Sequence, residues 1–401
     1  MIIGQFNDSF PPITDGVASV TLNYAQQTGR LLGPDGKSYV VTPSFPKFTD
    51  DYDSIEVLRY YSLPVLFRPP YRLGAPKLDW AFQKRLNEIP FDVVHAQCPF
   101  GSAKLAQRIA RRRNIPMVAS FHSKYYDDIL SAARSKTVSK WILSYLMQTY
   151  HNATEVWTVN DNTIATLREY GYEGPVRVIN NGTDMARTSP DNRRGPAARA
   201  VAEELGLAED QRLLFFIGQH IWQKNLKMML ESLAILKKRL QEDEPGRQPF
   251  LMVFVGSGDA ADDLKEMCRK LDIVDEVRFL GVIRDRVKIK GFYERAELFL
   301  FPSLYDTSAL SIREAASSLC PAVMIEGSTT AEGIRDADNG YLSANTPEAY
   351  ADRIYRALAD PAERLRVGIS AQESLYRTWE TVGAEVLEEY KRLIAEHKGR
   401  G

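Results

Sequence analysis

Short apolar runs recur along this chain in two separate series, each run followed by a polar or glycine-containing turn and a stretch of helical periodicity. The first series holds runs at 2–6, 39–42, 55–60, 93–96, 117–121, 156–159 and 177–179, with amphipathic stretches such as 16–32 and 102–113 between them. The second starts over at 213–218, 251–256, 277–281, 298–302 and 322–325. Strands that read as near-continuous apolar runs are buried on both faces. Strand–helix–strand alternation of this kind gives parallel sheets with right-handed crossovers. The pattern predicts an α/β chain of two doubly wound domains, with strand ends from both sides facing a cleft.

The break between the two series is polar, with two prolines and a glycine and little that could enter a core, so it reads as a linker. The predicted division is an N-terminal domain over 1–184, a linker over 185–199, a second domain over 200–375, and a closing segment over 376–401. That segment carries a charged amphipathic helix at 382–397 and is expected to cross back to the first domain.

With 401 residues, two domains are the default. A net charge of −1 gives no global argument for nucleic acid. No apolar run approaches the ~20 residues that span a bilayer. The start, MIIGQF, lacks the basic region of a signal peptide. Cys98, Cys268 and Cys320 are scattered without metal spacing, which fits core packing in a reducing cytoplasm. Between positions 104 and 140 stand nine Lys/Arg and two acids, with Trp141, Ile142, Leu143, Tyr145, Leu146 and Met147 following. Basic residues beside exposed apolar ones can hold a peripheral protein on anionic lipid at the inner membrane face, although a solvated helix followed by a partly buried one accounts for the same residues.

The segment around LFLFPSLYDTSALSIREA carries the chemistry most clearly. An apolar strand is stopped by Pro302 and Ser303. A loop with Asp306, Thr307 and Ser308 follows, and then a helix bearing Glu314. This places two carboxylates at a strand's carboxyl end, the crevice where open α/β sheets bind ligands. The first helical turn adds free backbone N–H groups. Such a set suits a polyhydroxylated, phosphorylated ligand, namely a nucleotide sugar.

In the second strong segment, a strand is followed by the turn Gly218-Gln219-His220 and by a helix from Asn225 onward. Lys224 and Lys227 fall at the start of that helix, where cations oppose the macrodipole unless an anion is bound. Lys224 reads as a diphosphate ligand, Lys227 as a solvated lysine. His122 directly follows the strand at 117–121 and faces the predicted cleft; His95 reads equally as a core histidine, and His151, His220 and His397 carry little signal. Asp15-Gly16-Val17 opens the first helix, either as a close-approach site or as an ordinary start capped by Thr14 or Asp15. Val255-Gly256-Ser257-Gly258 lacks the third glycine of a dinucleotide fingerprint. Asp51-Tyr52-Asp53 and Asp336-Ala337-Asp338 match D-x-D by composition only and are not read as metal sites.

Taken together, these segments resemble the retaining glycosyltransferases of family 4, which have the GT-B fold of two Rossmann-like domains. The matching motifs occur in order over nearly the whole chain: Asp15-Gly16-Val17 for the N-terminal glycine loop, His122 in SFHSKYYDD, and Asn181-Gly182-Thr183-Asp184 for the interdomain turn. They continue with the phosphate segment from Gly218 to Asn225, the E-x7-E pair as Asp306 and Glu314, and Asp338-Asn339-Gly340-Tyr341 near the closing strand.

The resemblance implies a role for each position. Glu314 accepts hydrogen bonds from the donor ribose, and Asp306 binds hydroxyls of the transferred sugar. Backbone groups of Ser308, Ala309, Leu310 and Ser311 support sugar and phosphate. Lys224, beside Gly218 and Gln219, neutralises the diphosphate, and Gly16 lets the first domain approach it. His122 contacts the sugar near the reacting carbon, and Val282 lies near the base. No cofactor or metal is implied; a lysine and helix N-termini replace the metal. Gln219 stands where the family usually has arginine, and Asp306 is one methylene shorter than the usual glutamate. The expected activity is transfer of a hexose or N-acetylhexosamine from a UDP-linked sugar to a glycan or membrane-lipid acceptor, with no nucleic acid partner. A sugar-nucleotide epimerase and a non-catalytic sugar-nucleotide-binding protein are the alternatives. Loops at 45–53, 62–75 and 125–142 are the candidate acceptor contacts.

Overall fold

The computed structural model describes residues 1–13, 15–65, 70–122, 124–308 and 310–400. The chain forms two compact units: Met1–Gly182 joined by Trp379–Gly401, and Thr183–Thr378.

The first unit is built on a seven-stranded sheet. Its strands in chain order are β1 (Ile2–Phe6), β2 (Lys37–Pro43), β3 (Ile55–Tyr60), then the small hairpin β4 (Ser62–Pro64) and β5 (Arg72–Gly74), which forms a separate ladder, and β6 (Val93–Ala96), β7 (Met117–Phe121), β8 (Glu155–Thr158) and β9 (Val176–Val178). The main sheet runs β3-β2-β1-β6-β7-β8-β9, with every pair parallel. The strand order reverses between β1 and β6, so the crevice beyond their carboxyl ends is the place for a ligand. One face packs Phe6, Val41, Leu58 and Val94 against Ala103, Ala106 and Ile109 of the helix Gly101–Arg113. The helix Gly16–Leu31 and the closing helix Trp379–Arg400 pack against each other, with Tyr24 edge-on to Trp379 and Tyr390 stacked on Trp157.

The second unit has a six-stranded parallel sheet of β10 (Leu213–Ile217), β11 (Leu251–Val255), β12 (Val277–Phe279), β13 (Leu298–Phe301), β14 (Ala322–Ile325) and β15 (Tyr341–Ser343). The order is β12-β11-β10-β13-β14-β15, which puts the reversal between β10 and β13. The helix Leu226–Asp243 buries Leu226, Met229, Leu230, Leu233, Leu236 and Leu240, the stripe its periodicity predicts.

Two features differ from the sequence reading. The segment 185–199 is part of the second unit and not an exposed linker. Met185, Thr188 and Ala198 are buried there. The Thr188 hydroxyl donates to Glu294 at 2.7 Å, Arg193 donates to the Ala296 carbonyl at 2.7 Å, and Pro196–Leu205 is a helix with proline in its first turn and Gly206 as a left-handed C-cap. Its polarity is consumed by partners supplied from distant sequence, which composition cannot reveal. The hairpin strands β4 and β5, three residues each, are too short to stand out as a period.

Candidate active site

Lys224 and Asp306 follow β10 and β13, the two strands that flank the reversal in the second sheet, and the fold brings them together. The ammonium of Lys224 lies 2.8 and 2.7 Å from the two carboxylate oxygens of Asp306. It also sits 5.2 Å from the centre of the Phe301 ring, so its stem is buried while its head meets the carboxylate. Ser303 donates to the same carboxylate at 2.6 Å. The sequence reading gave the two residues separate tasks; here each is the other's counter-ion.

The turn carrying Gly218 and Gln219 is held by a second glycine-bearing turn. Gly218 N donates to the Val255 carbonyl at 3.0 Å and His220 N to that of Ser257 at 2.9 Å. A Cβ on Gly256, whose φ is +134°, would lie 1.9 Å from the Gly218 carbonyl oxygen. One on Gly258 would lie 2.4 Å from that of His220. The two glycines therefore allow the close passage of two backbones. Gln219 is exposed. His220 is buried against Phe254 and Phe279, with no hydrogen-bond partner for either ring nitrogen among the described residues. Burial holds it below the usual histidine range.

Glu314 is the fifth residue of the helix Leu310–Ser317 and is nearly buried. One carboxylate oxygen accepts from Arg286 at 2.6 Å and the other from the Tyr293 hydroxyl at 3.0 Å. Arg286 also donates to Asp184, its Nε lying 3.0 Å from the carboxylate. Burial disfavours the charged Arg286, but the charges of Glu314 and Asp184 more than offset this and hold it protonated. Burial, and then the Glu314 charge, push the Tyr293 phenol well above its ordinary range. Arg286 was not singled out from sequence. The signal was present, since it opens a helix capped by Asp285, the same cation-at-an-N-terminus placement that drew attention to Lys224. Leu310 and Ser311 begin the Glu314 helix, Ser308 precedes it, and Ala309 lies outside the described residues. Val282 is exposed in the loop after β12, beyond Gly281 at φ +70°.

In the first unit, Gly16 is the first residue of its helix, and Asp15 caps it by accepting from Ala18 N at 2.7 Å. The ordinary helix start is therefore present; Thr14 lies outside the described residues. A Cβ on Gly16 would meet nothing within 4 Å, so the surrounding packing does not demand glycine. His122 follows β7, and its Nε2 is 3.0 Å from Gln97 Oε1. Burial lowers its pKa to about 4, so it is neutral at pH 7 and acts through hydrogen bonds and not through charge. His95 is a core histidine held between Tyr390 and Ser120. Asp336 and Asp338 are engaged by Leu342 N, Arg353, Arg335 and Ser370.

Residues 14–187 match the family model "Glycosyltransferase Family 4" and residues 199–374 match "Glycosyl transferases group 1". With two parallel α/β units, the chain has the GT-B fold, and each of the two units matches a glycosyltransferase family model. It is 25% identical over 328 residues to an alpha-monoglucosyldiacylglycerol synthase of Streptococcus pneumoniae, covering 80% of this chain and 70% of that one. It is 27% identical over 318 residues to a D-inositol 3-phosphate glycosyltransferase of Nocardiopsis dassonvillei, covering 76% and 71%. Among solved structures, Anabaena Alr3699/HepE in complex with UDP superposes with a TM-score of 0.73 at 17% identity, covering 98% of this chain and 100% of that one. Among the described residues no helix is long and apolar enough to cross a membrane.

Proposed function

We propose that this glycosyltransferase moves a hexose or N-acetylhexosamine from a UDP-linked sugar to a membrane-lipid or glycan acceptor, with retention and without a metal. The observation that carries the reading is the Lys224–Asp306 pair beyond the two strands at the reversal of the second sheet. A diphosphate entering there exchanges one anionic partner of Lys224 for another, and Asp306 turns to the sugar hydroxyls. Lys224 then carries the charge that grows on the leaving diphosphate, aided by the N–H groups that open the helix Leu310–Ser317. Glu314, oriented by its ion pair with Arg286, accepts from the ribose hydroxyls. Neutral His122 bonds the transferred sugar. UDP in the Alr3699/HepE complex supports the choice of nucleotide.

A lipid acceptor is supported by the surface of the first unit. The helix Lys136–His151 exposes Trp141 (72%) and Tyr145 (48%), and Lys104 from the helix Gly101–Arg113 places its ammonium 4.5 Å from the Tyr145 ring centre. Arg111, Arg112 and Lys140 are exposed on these two helices. Aromatic and basic side chains together suit the headgroup layer of an anionic bilayer. The name of the pneumococcal synthase points the same way.

The test is a panel of UDP-, GDP- and ADP-sugars in thermal-shift and transfer assays, with the product anomer read by NMR. Stabilisation by UDP-sugars and an α-linked product from an α-linked donor are expected. Failure of every sugar nucleotide to bind, or an inverted product, would overturn the reading.

A further inference from the structure

We infer that the hairpin β4–β5 and the turn after it form a second membrane-contact surface of the first unit. This surface and the exposed aromatics of the helix Lys136–His151 flank one basic helix as two wings on the same anionic bilayer. The inference deepens the lipid-acceptor reading and rests on it for the choice of a bilayer.

Leu63 and Leu73 are directly opposed across the hairpin, so their side chains share a face. Both are exposed, as is Tyr61, and Leu78 and Trp80 are more so, at 77% and 78%. Two hydrogen bonds draw these positions together. Ala75 N donates to the Tyr61 carbonyl at 2.8 Å, and Tyr61 N donates to the Asp79 carboxylate at 3.1 Å. The segment that follows β5 therefore runs beside the residue that precedes β4. A single exposed apolar side chain needs no explanation, but large ones gathered on one short segment mark a contact surface.

The neighbouring helix Gly101–Arg113 says what covers that surface. It carries Lys104, Arg108, Arg111, Arg112 and Arg113 and no acid. Lys104, Arg108 and Arg111 are spaced by four and three residues and so form one ridge. Their partners are neutral: Arg108 donates to the Gln83 side chain at 2.6 Å, Arg111 to that of Asn152 at 2.9 Å, and Lys104 lies over the Tyr145 ring. The positive charge is thus left for an outside anion. The same bonds place the wings. Gln83 is one turn beyond Trp80 on the helix Trp80–Glu88, and Asn152 ends the helix that exposes Trp141 and Tyr145. Tryptophan and leucine suit the boundary between headgroups and acyl chains, and the ridge suits the lipid phosphates. A second copy of this chain fits poorly, because a two-fold contact would set the ridge against itself. The hairpin follows β3 at its carboxyl end, the edge of the sheet that holds the crevice between β1 and β6, so a lipid in this layer is presented toward that crevice.

The experiment uses the full chain and vesicles of phosphatidylcholine with and without phosphatidylglycerol. The native cysteines are buried, so an environment-sensitive fluorophore goes to the introduced thiol of Leu78→Cys. A blue shift is expected with anionic vesicles. The same label at Leu31→Cys, exposed on the helix Gly16–Leu31 over the opposite face of the sheet, is expected to stay unchanged. Leu78→Asp/Trp80→Asp alters exposed positions and is expected to melt with the wild type while sedimenting with anionic vesicles roughly tenfold less. Vesicle binding that leaves the Leu78 label unshifted and survives the double substitution would overturn the inference, as would absence of binding by the wild type. A dimer seen by light scattering and lost in the double variant would assign the surface to a second copy and overturn it as well. Vesicle contact at this wing without transfer to any lipid would sink the lipid-acceptor reading and leave the contact surface standing.

Discussion

Lys224 and Asp306 form a two-pronged ion pair, 2.8 and 2.7 Å long, between segments 82 residues apart. The pair means that the proposed diphosphate ligand and Asp306 compete for one ammonium. Lys224→Met is expected to weaken binding of UDP by roughly 10- to 100-fold, the range for loss of a hydrogen bond to a charged group. Asp306→Asn is expected to hold or raise UDP affinity while lowering kcat. Calorimetry with UDP checks both; an equal loss of affinity in the two variants would show that Asp306 serves as scaffolding and does not compete.

Arg286 holds Glu314 in place through an ion pair of 2.6 Å. Arg286→Leu leaves a nearly buried carboxylate with only Tyr293 as a partner among the bonds described above. Because the Arg286 side chain is about two-fifths exposed, water softens the loss to about 1–2 kcal/mol. Denaturant unfolding is expected to show that loss, with weaker UDP binding, and the double variant Arg286→Leu/Glu314→Gln is expected to regain stability but not affinity.

Acid destabilises the first unit through His122. Its folded-state pKa, about 4, lies below the unfolded value near 6.5. Between these values the unfolded chain binds more protons, so stability is full above about pH 6.5 and falls as pH drops toward 4, by about 3 kcal/mol. Buried His95 shifts in the same direction. Unfolding free energies at pH 7.5 and 4.5 are expected to differ less in His122→Asn than in the wild type.

Gly256 has no room for a methyl group. Gly256→Ala drives Cβ into the Gly218 carbonyl at a positive φ and is expected to cost about 2 kcal/mol or more. It is also expected to abolish UDP-induced thermal stabilisation, since the displaced turn carries the residues before Lys224. Alanine at Gly16, where the space is open, is expected to leave the melting temperature unchanged.

Trp141 and Tyr145 are exposed beside basic residues. Sedimentation with anionic vesicles is expected to fall several-fold in Trp141→Ala/Tyr145→Ala and with rising salt, while neutral vesicles bind little. Equal binding by the variant would place the membrane contact elsewhere.

Local pattern was enough for the parallel strands, because a strand buried on both faces announces itself in consecutive residues such as Leu298–Phe301. It was enough also for Lys224, Asp306 and Glu314 as candidates, since each follows a strand or opens a helix. The hairpin at β4 and β5 and the packing of 185–199 left no such trace, because their stability comes from partners remote in sequence. Arg286 sat in view at a helix start, but its meaning depends on Glu314, 28 residues later.

Sequence by itself determined which residues could be buried and which turns could hold an anion, for those follow from hydrophobic period and backbone chemistry near each position. Tertiary structure alone decided the pairings: Lys224 with Asp306, Arg286 with Glu314, and His122 with Gln97. A carboxylate or an imidazole takes its charge, tautomer and direction from atoms within about 3 Å, and folding alone brings those atoms within reach.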